Sequence, residues 1–323
     1  MRYIIYGAGG IGSIMGGHLF RTGHDVILIG RKGHVDAVNS RGLRLVTPAG
    51  TYELKIPAVT SPEEITFKKD DVVCLCMKSQ DTEAAMQDLK EATSTRPIFC
   101  FQNGVSNEKT ALKYYSDVYG VMVRVGAVFL ADGEVVCRRD PPGWYVIGRY
   151  PHGIDALLES VAVDLRAAGY LIKLVDDAMP YKWGKLMANL SNAIDAITGS
   201  GWGTGKDTSA DRAVYDEAVA ILKKAGVTWI SQEKVIEGWP ETKNVRGQFN
   251  TAAQSSTWQS LARGRATLET DFLNGEIVRL AKSIGLEAPL NQKLIEITQK
   301  MAAGHEKPGA YTTAQLKEML GLK

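Results

Sequence analysis

Residues 3–12, YIIYGAGGIG, constrain this chain more than any other stretch. The apolar run Tyr3, Ile4, Ile5, Tyr6 reads as a buried strand, and it breaks into Gly7, Ala8, Gly9, Gly10, Ile11 and Gly12 where helical periodicity begins. In a strand that turns into a helix through G-x-G-x-x-G, the first glycine makes the tight turn. The second lets the backbone approach a pyrophosphate, and the third lets the helix pack on the strand. Phosphates would rest on amides at the helix start. The motif alone could be an ordinary turn, and it is the strand before and the helix after that make it a dinucleotide loop. The helix, residues 11–21, carries Ile11, Ile14, Met15 and Leu19 on one face and stops at Thr22 and Gly23.

The length of 323 residues predicts two compact units. A net charge of +2 implies no broad basic face for nucleic acid, and no zinc-finger spacing occurs. Cys74, Cys76, Cys100 and Cys137 fall in the first half, three of them in apolar strand-like runs, which suits reduced, buried thiols. No apolar run approaches the roughly 20 residues of a membrane helix, and the chain starts almost directly on a strand. A cytoplasmic protein is expected.

Val26 to Ile29 reads as the second strand, followed by Gly30, Arg31 and Lys32. An acidic residue at this distance from the glycines would bind the ribose hydroxyl of NAD, whereas a basic one accommodates the 2′-phosphate of NADP. Arg31 and Lys32 therefore favour NADP(H) over NAD. Leu43–Val46 and Thr51–Ile56 predict an inserted hairpin. Asp71–Met77 and Pro97–Phe101 read as core strands ending in the polar clusters Lys78 to Thr82 and Gln102 to Gly104, at strand ends where open α/β sheets bind ligands. Val121–Phe129, Glu134–Cys137 and Tyr145–Ile147 suit antiparallel edge strands closing the sheet. A helix over 154–168 and a strand over 171–175 complete an α/β domain of residues 1–177. An all-helical domain over 178–323 follows, with helices predicted at 181–198, 209–225, 242–262, 267–284 and 291–303, and a short one at 312–320.

The opening helix of the second domain is the most informative stretch after the glycine loop. At about 100° per residue, Lys185, Asn189, Asn192 and Ala196 fall on one stripe, while Trp183, Leu186, Met187, Leu190, Ile194 and Ile197 cover the other side. Many such stripes are wet surface, but this one repeats an amine followed by amides and begins at the domain junction, where it could face a cleft. Hydride arriving at a ketone places negative charge on oxygen, which calls for a positioned cation or acid. Lys185 can supply both charge and proton. The second domain contains only His305 as a histidine, far along the chain, and Lys182 reads as a solvated surface lysine. Glu269 fits either a hydrogen bond to a substrate hydroxyl or helix capping.

Together, GAGGIG at 7–12, Arg31, KSQDT from Lys78, QNG at 102–104, WGKLMAN at 183–189 and ETDFLNG at 269–275 resemble the ketopantoate reductase family over nearly the full length. The resemblance implies a Rossmann-type dinucleotide-binding domain followed by a helical one, NADPH as hydride donor, and reduction of the ketone of a small branched 2-oxo acid. It implies Lys185 as the catalytic amine, Lys78 and Asn103 lining the cofactor and substrate site, and Asn189 and Glu269 holding substrate. Three positions depart from the family pattern. Ala193 stands where a second asparagine is usual, with Asn192 one place early. The family's substrate-binding serine matches either Ser255 or Ser256, and Ser260 stands at a usually acidic position. Ketopantoate is the first candidate substrate. Another oxo acid, an imine as in opine-type dehydrogenases, or a non-catalytic NADPH sensor are the alternatives, and apolar helices in the second domain leave a homodimer open.

Overall fold

The computed structural model describes residues 1–200, 207–247 and 254–322. Its strands are β1 (Arg2–Tyr6), β2 (Asp25–Ile29), β3 (Leu43–Thr47), β4 (Gly50–Leu54), β5 (Ala58–Val59), β6 (Asp71–Leu75), β7 (Ile98–Cys100), β8 (Val118–Val125), β9 (Ala127–Val128), β10 (Glu134–Cys137), β11 (Arg139–Asp140), β12 (Gly143–Arg149), β13 (Leu171–Leu174) and β14 (Arg246–Gly247). The helices are α1 (Gly10–Arg21), α2 (Lys32–Arg41), α3 (Thr82–Ala92), α4 (Asn107–Ala111), α5 (Ala156–Ala167), α6 (Met179–Asn189), α7 (Ser191–Thr198), α8 (Ser209–Lys224), α9 (Gln232–Glu237), α10 (Ser256–Ala262), α11 (Asn274–Ser283), α12 (Pro289–Ala303) and α13 (Thr313–Met319). None is long and apolar enough to cross a membrane.

Two compact units result. One comprises Met1–Lys182 with Glu233–Asn250, the other Trp183–Gln232 with Thr251–Lys323. The segment 233–250, which sequence alone leaves in the second half, groups with the first unit.

The first unit is built on a sheet of order β13-β12-β8-β7-β6-β1-β2-β5. β1 pairs in parallel with both β2 and β6, β6 with β7, and β7 with β8, so these strands end on one edge. The chain leaves β1 in one direction for β2 and returns on the other side as β6, which makes the end of β1 the switch point where such sheets bind ligands. Side chains alternate between two cores, as the period of a strand requires. Tyr3, Ile5, Leu28 and Cys74 pack with Ile14 and Leu19 of α1 and Leu158 of α5, and Ile4, Ile29, Val73 and Cys100 pack with Met86 and Leu89 of α3. All four cysteines are free thiols.

The expectation that the strands after Tyr119 close this sheet as antiparallel edges needs correction. Only the β8–β12 pairing is antiparallel; β8 itself is parallel to β7, and the edge strand β13 is parallel to β12. β9 and β10 instead join the β3–β4 hairpin in a separate sheet of order β4-β3-β10-β9. That small sheet covers α1, whose Gly17 leaves room for Leu45 and Leu54.

His18 of α1 is largely buried, edge-on to the Tyr170 ring at 5.7 Å. Burial, and secondarily the charge of Arg21, push its pKa down to about 4. Below the unfolded value of about 6.5 the unfolded chain takes up a proton that the folded chain refuses, so stability is lost as pH falls from 6.5 toward 4. The expected loss is about 3 kcal/mol. Urea melts at pH 7 and pH 4.5 should show His18→Leu losing less stability over that interval than the parent, and equal losses would refute the assignment.

The second unit is helical, and three of the helices predicted after residue 177 differ: the one expected over 267–284 is a 3-10 turn at Glu269–Phe272 followed, after Leu273, by α11. The helix expected over 181–198 breaks at Leu190 into α6 and α7, and Asn274 Nδ2 donates to the Leu190 carbonyl at the break, 3.3 Å away. The helix expected over 242–262 does not form: Pro240–Asn244 is a 3-10 turn, β14 follows and pairs with β11, and only α10 is helical. Residues 248–253 of that expectation lie outside the described residues.

Candidate active site

The glycine loop has the form its residues predict. Gly7 adopts φ +103°, a region that favours glycine, and a Cβ there would stand 2.3 Å from the Met77 nitrogen. The Gly7 and Ala8 amides both donate to the Ile29 carbonyl at 2.9 Å, and the Gly9 amide donates to the Gly7 carbonyl. The amides left at the helix end are those of Gly10, Ile11 and Gly12, in the first turn of α1. No acidic side chain lies in that turn and no side chain caps it. A Cβ added at Gly9 would meet no described atom within 4 Å, so this position is open on the side a pyrophosphate would occupy. An anion therefore fits here on both space and charge.

Gly12 is the packing glycine. A Cβ there would stand 2.4 Å from the Gly7 carbonyl oxygen and 2.9 Å from Ile5. Gly12→Ala must displace the loop, at a cost of about 1–3 kcal/mol, and is expected to weaken NADPH binding about tenfold or more in a fluorescence titration. An unchanged Kd would contradict the assignment.

Arg31 caps the start of α2 directly after β2, exposed and 3.8 Å from Asp81. Lys32 is exposed as well, but its ammonium lies along its own helix against Asp36 at 2.8 Å. Of the two, Arg31 is the better placed to reach outward. A residue the sequence did not mark supports this corner. His34 is buried, accepts the Gly133 amide on Nδ1 at 2.9 Å, and so presents Nε2–H to Ser13 Oγ at 3.2 Å. Burial lowers its pKa, consistent with the neutral ring that this pairing requires. It ties the start of α2 to α1.

The polar clusters after β6 and β7 are cross-braced. Gln102 Nε2 donates to the Met77 carbonyl at 3.0 Å and to Thr82 Oγ1 at 2.8 Å, and Thr82 donates to Asn107 Oδ1 at 2.9 Å. Asn107 Nδ2 and Ser79 Oγ both reach the Asn103 carbonyl, at 2.7 and 3.1 Å. The strands are parallel neighbours, so this lattice holds Lys78 and Asn103 on the edge where the glycine loop also lies.

Lys182 corrects the sequence reading most sharply. Instead of a solvated surface group, it is 2% exposed, with Nζ 2.5 Å from Glu108 Oε1 and donating to the carbonyls of Gln102 at 3.0 Å and Val121 at 3.4 Å. Glu108 is fully buried. Nothing in the local sequence of either residue signals this pair, because 74 positions separate them.

In the second unit, Lys185 is half-buried, one turn beyond Lys182 along α6. The stripe proposed with it is divided by the break at Leu190, with Asn189 ending α6 and Asn192 and Ala196 on α7. All three are buried, so this is not a wet face. Asn192 meets the serine pair: its Nδ2 lies 3.5 Å from Ser256 Oγ, and Ser255 Oγ donates to its carbonyl at 3.1 Å. Ser255 also caps α10, accepting the Trp258 amide at 3.1 Å, whereas Ser256 is less buried. Ala193 is fully buried. Glu269 opens a 3-10 turn and is 4% exposed, and Asn274 from the same motif bonds Asn291, which Glu217 holds in turn.

Models of two families match in order along the chain: "Ketopantoate reductase PanE/ApbA" over residues 3–152 and "Ketopantoate reductase PanE/ApbA C terminal" over 177–302. The 2-dehydropantoate 2-reductase of Pyrococcus horikoshii is 35% identical over 90% of this chain and 94% of its own length. The enzyme of the same name from Archaeoglobus fulgidus is 29% identical over 94% and 98%. Among solved structures, a PanE/ApbA family ketopantoate reductase from Ralstonia eutropha superposes with TM-score 0.79 at 30% identity, covering 94% of this chain and 99% of that one. A D-mandelate dehydrogenase complex with NADH and anilino(oxo)acetate shares the fold at TM-score 0.78 and 20% identity. Both halves of this chain, in sequence and in fold, thus place it in the ketopantoate reductase family of NADPH-dependent oxidoreductases.

Proposed function

We propose that this chain reduces ketopantoate to pantoate, with residues 1–177 binding the nucleotide and residues 178–323 supplying the catalytic amine. The observation that carries this reading is the open, carboxylate-free glycine cradle at the switch point of the parallel sheet, in a chain 35% identical to a 2-dehydropantoate 2-reductase. NADPH, when bound, supplies the hydride. The Gly10, Ile11 and Gly12 amides hold the pyrophosphate, with Gly7, Ala8 and Gly9 shaping the turn, and Arg31 and Lys32 meet the 2′-phosphate. Lys78 and Asn103 orient the reacting end. Lys185 holds the ketone oxygen and gives it a proton as negative charge develops there. Asn189, Asn192, Ser256 and Glu269 bind substrate, with Ser255 supporting Ser256 from its capping position.

Arg31→Ala is expected to weaken NADPH binding by about tenfold while leaving NADH unchanged, the loss of one charge-assisted phosphate contact. Equal loss for both nucleotides would exclude the 2′-phosphate role. The activity itself is tested by following NADPH absorbance with ketopantoate, with other branched 2-oxo acids, and with the same acids plus amines. Ketopantoate turnover with the lowest KM supports the reading. A different preferred oxo acid is the second reading, favoured by Ala193, which is buried beside Asn192 and narrows the amide set of the pocket. A cytoplasmic homodimer goes with either reading and is tested by sedimentation.

A further inference from the structure

The sequence carries one unbroken helical pattern over 181–198, and the structure interrupts it at the residue that follows Asn189. Leu190 keeps helical angles, φ −58° and ψ −32°, but its amide reaches the Met187 carbonyl, three residues back, at 3.4 Å. A tightened turn inside a helical run often marks a functional hinge or a local constraint. Lys185 and Asn189 lie on one side of it and Asn192 on the other.

The interruption is held by a row of groups from three other helices of the same unit. Glu217 of α8 accepts the Leu290 and Asn291 amides, both at 2.9 Å, and Asn291 Nδ2 at 2.8 Å. A carboxylate that takes three donors only accepts, so Asn291 turns Nδ2 towards it and Oδ1 away. That oxygen accepts from Asn274 Nδ2 at 2.9 Å, and the same nitrogen donates to the Leu190 carbonyl at 3.3 Å. Each amide therefore has one orientation, set in turn from Glu217. Asn274 and Asn291 are 0% exposed, and Asn274 Oδ1 takes no hydrogen bond among the described residues, so this amide acts through its donors alone. The Leu190 carbonyl belongs to the peptide that joins α6 to α7. Fixing it fixes how Asn192 is set against Lys185 and Asn189.

We propose that Asn274 is a positioning residue: through the Leu190 carbonyl it sets the register between Lys185 and Asn189 on α6 and Asn192 on α7, and so decides which 2-oxo acid fits beside them. This rests on the reading of those three residues as the amine and amides of the site. It also accounts for a departure from the family pattern. Asn192 stands one place early in sequence, and the interruption at Leu190 lets its amide meet Ser256.

The test compares the full wild-type chain with Asn274→Leu, which keeps the branched shape without a donor, with Asn274→Asp, which puts an acceptor where the donor was, and with the double variant Asn274→Leu, Asn291→Leu. The double variant removes both amides, so that neither is left buried and unpaired if the single change is poorly tolerated. KM and kcat are measured with ketopantoate and with 2-oxobutyrate as an unbranched acid, NADPH Kd by fluorescence, and amide exchange over residues 186–194 by mass spectrometry. Asn274→Leu is expected to raise the ketopantoate KM about tenfold, with kcat falling less, and to move the ratio of kcat/KM for the two acids by a similar factor. NADPH Kd should stay within about twofold, and exchange over 186–194 should be about tenfold faster. Asn274→Asp should do the same more strongly, and the double variant should regain stability without regaining the parent's ratio. A merely structural asparagine would lower Tm yet leave KM and the ratio at the parent's values in the folded protein, and that result would overturn the proposal. If wild type turns over no oxo acid, the activity reading fails, while exchange over 186–194 still decides whether Asn274 holds the interruption: faster exchange in Asn274→Leu supports it and unchanged exchange refutes it.

Discussion

Lys185→Ala is expected to lower kcat about a thousandfold while NADPH binds as in the parent chain. The figure follows from what the amine is asked to do: loss of one donor to a developing oxyanion costs about 10²–10³ in rate, and loss of a positioned acid about 10²–10⁴. The two roles share one group here, so their costs do not add in full. Lys185 is half-buried on α6 and its proposed role is at the ketone oxygen, whereas the proposed nucleotide contacts are the glycine loop and Arg31, so nucleotide affinity should not follow the change. Lys185→Arg separates the roles, because a guanidinium keeps the charge but does not give up its proton at neutral pH. Partial activity in the arginine variant would assign most of the effect to electrostatics. Full activity in the alanine variant, measured by NADPH absorbance at saturating oxo acid, would remove Lys185 from the mechanism.

Lys182→Met is expected to destabilise the chain by about 3–5 kcal/mol, the cost of leaving one partner of a buried pair without the other. Glu108 has no exposed surface through which water could replace the ammonium, and Lys182 also supports the carbonyls of Gln102 and Val121. The double variant Lys182→Met with Glu108→Leu removes both charges and should recover much of the loss, since apolar replacement of a whole buried pair is often neutral. Urea unfolding of the two single variants and the double variant checks this as a cycle. Additive losses would show that the two groups do not act as a pair. Because Gln102 precedes Asn103 and is braced to Met77 and Thr82, Lys182→Met should also raise the KM for oxo acid at temperatures where it remains folded.

Legibility followed the range of the interactions. The glycine loop was readable because a strand, three glycines and an amphipathic helix within about 20 residues already specify a turn and an anion site. The open side of Gly9 and the close packing at Gly12 agree with the roles their spacing predicts. The parallel strands β6 and β7 were readable as uninterrupted apolar runs. Periodicity did less well where tertiary contacts override it. Residues 181–198 carry one continuous helical pattern, yet the chain breaks at Leu190, where Asn274, 84 positions later, accommodates the carbonyl. Residues 242–262 carry helical spacing, yet part of that stretch becomes an edge strand against β11. Asn192 looked misplaced against the family pattern, and only the fold showed that its amide lies beside Ser256.

The sequence by itself determined the glycine loop, the parallel core strands β1, β2, β6 and β7 around it, and the family, because these rest on short-range patterns that any compact structure must honour. Tertiary structure alone decided that Lys182 is buried against Glu108. Charged residues carry no mark of their burial in a linear pattern. Whether one is solvated, paired or massed with others of its sign depends on which distant segments the sheet brings alongside it, and that is set only when the strands have found their order.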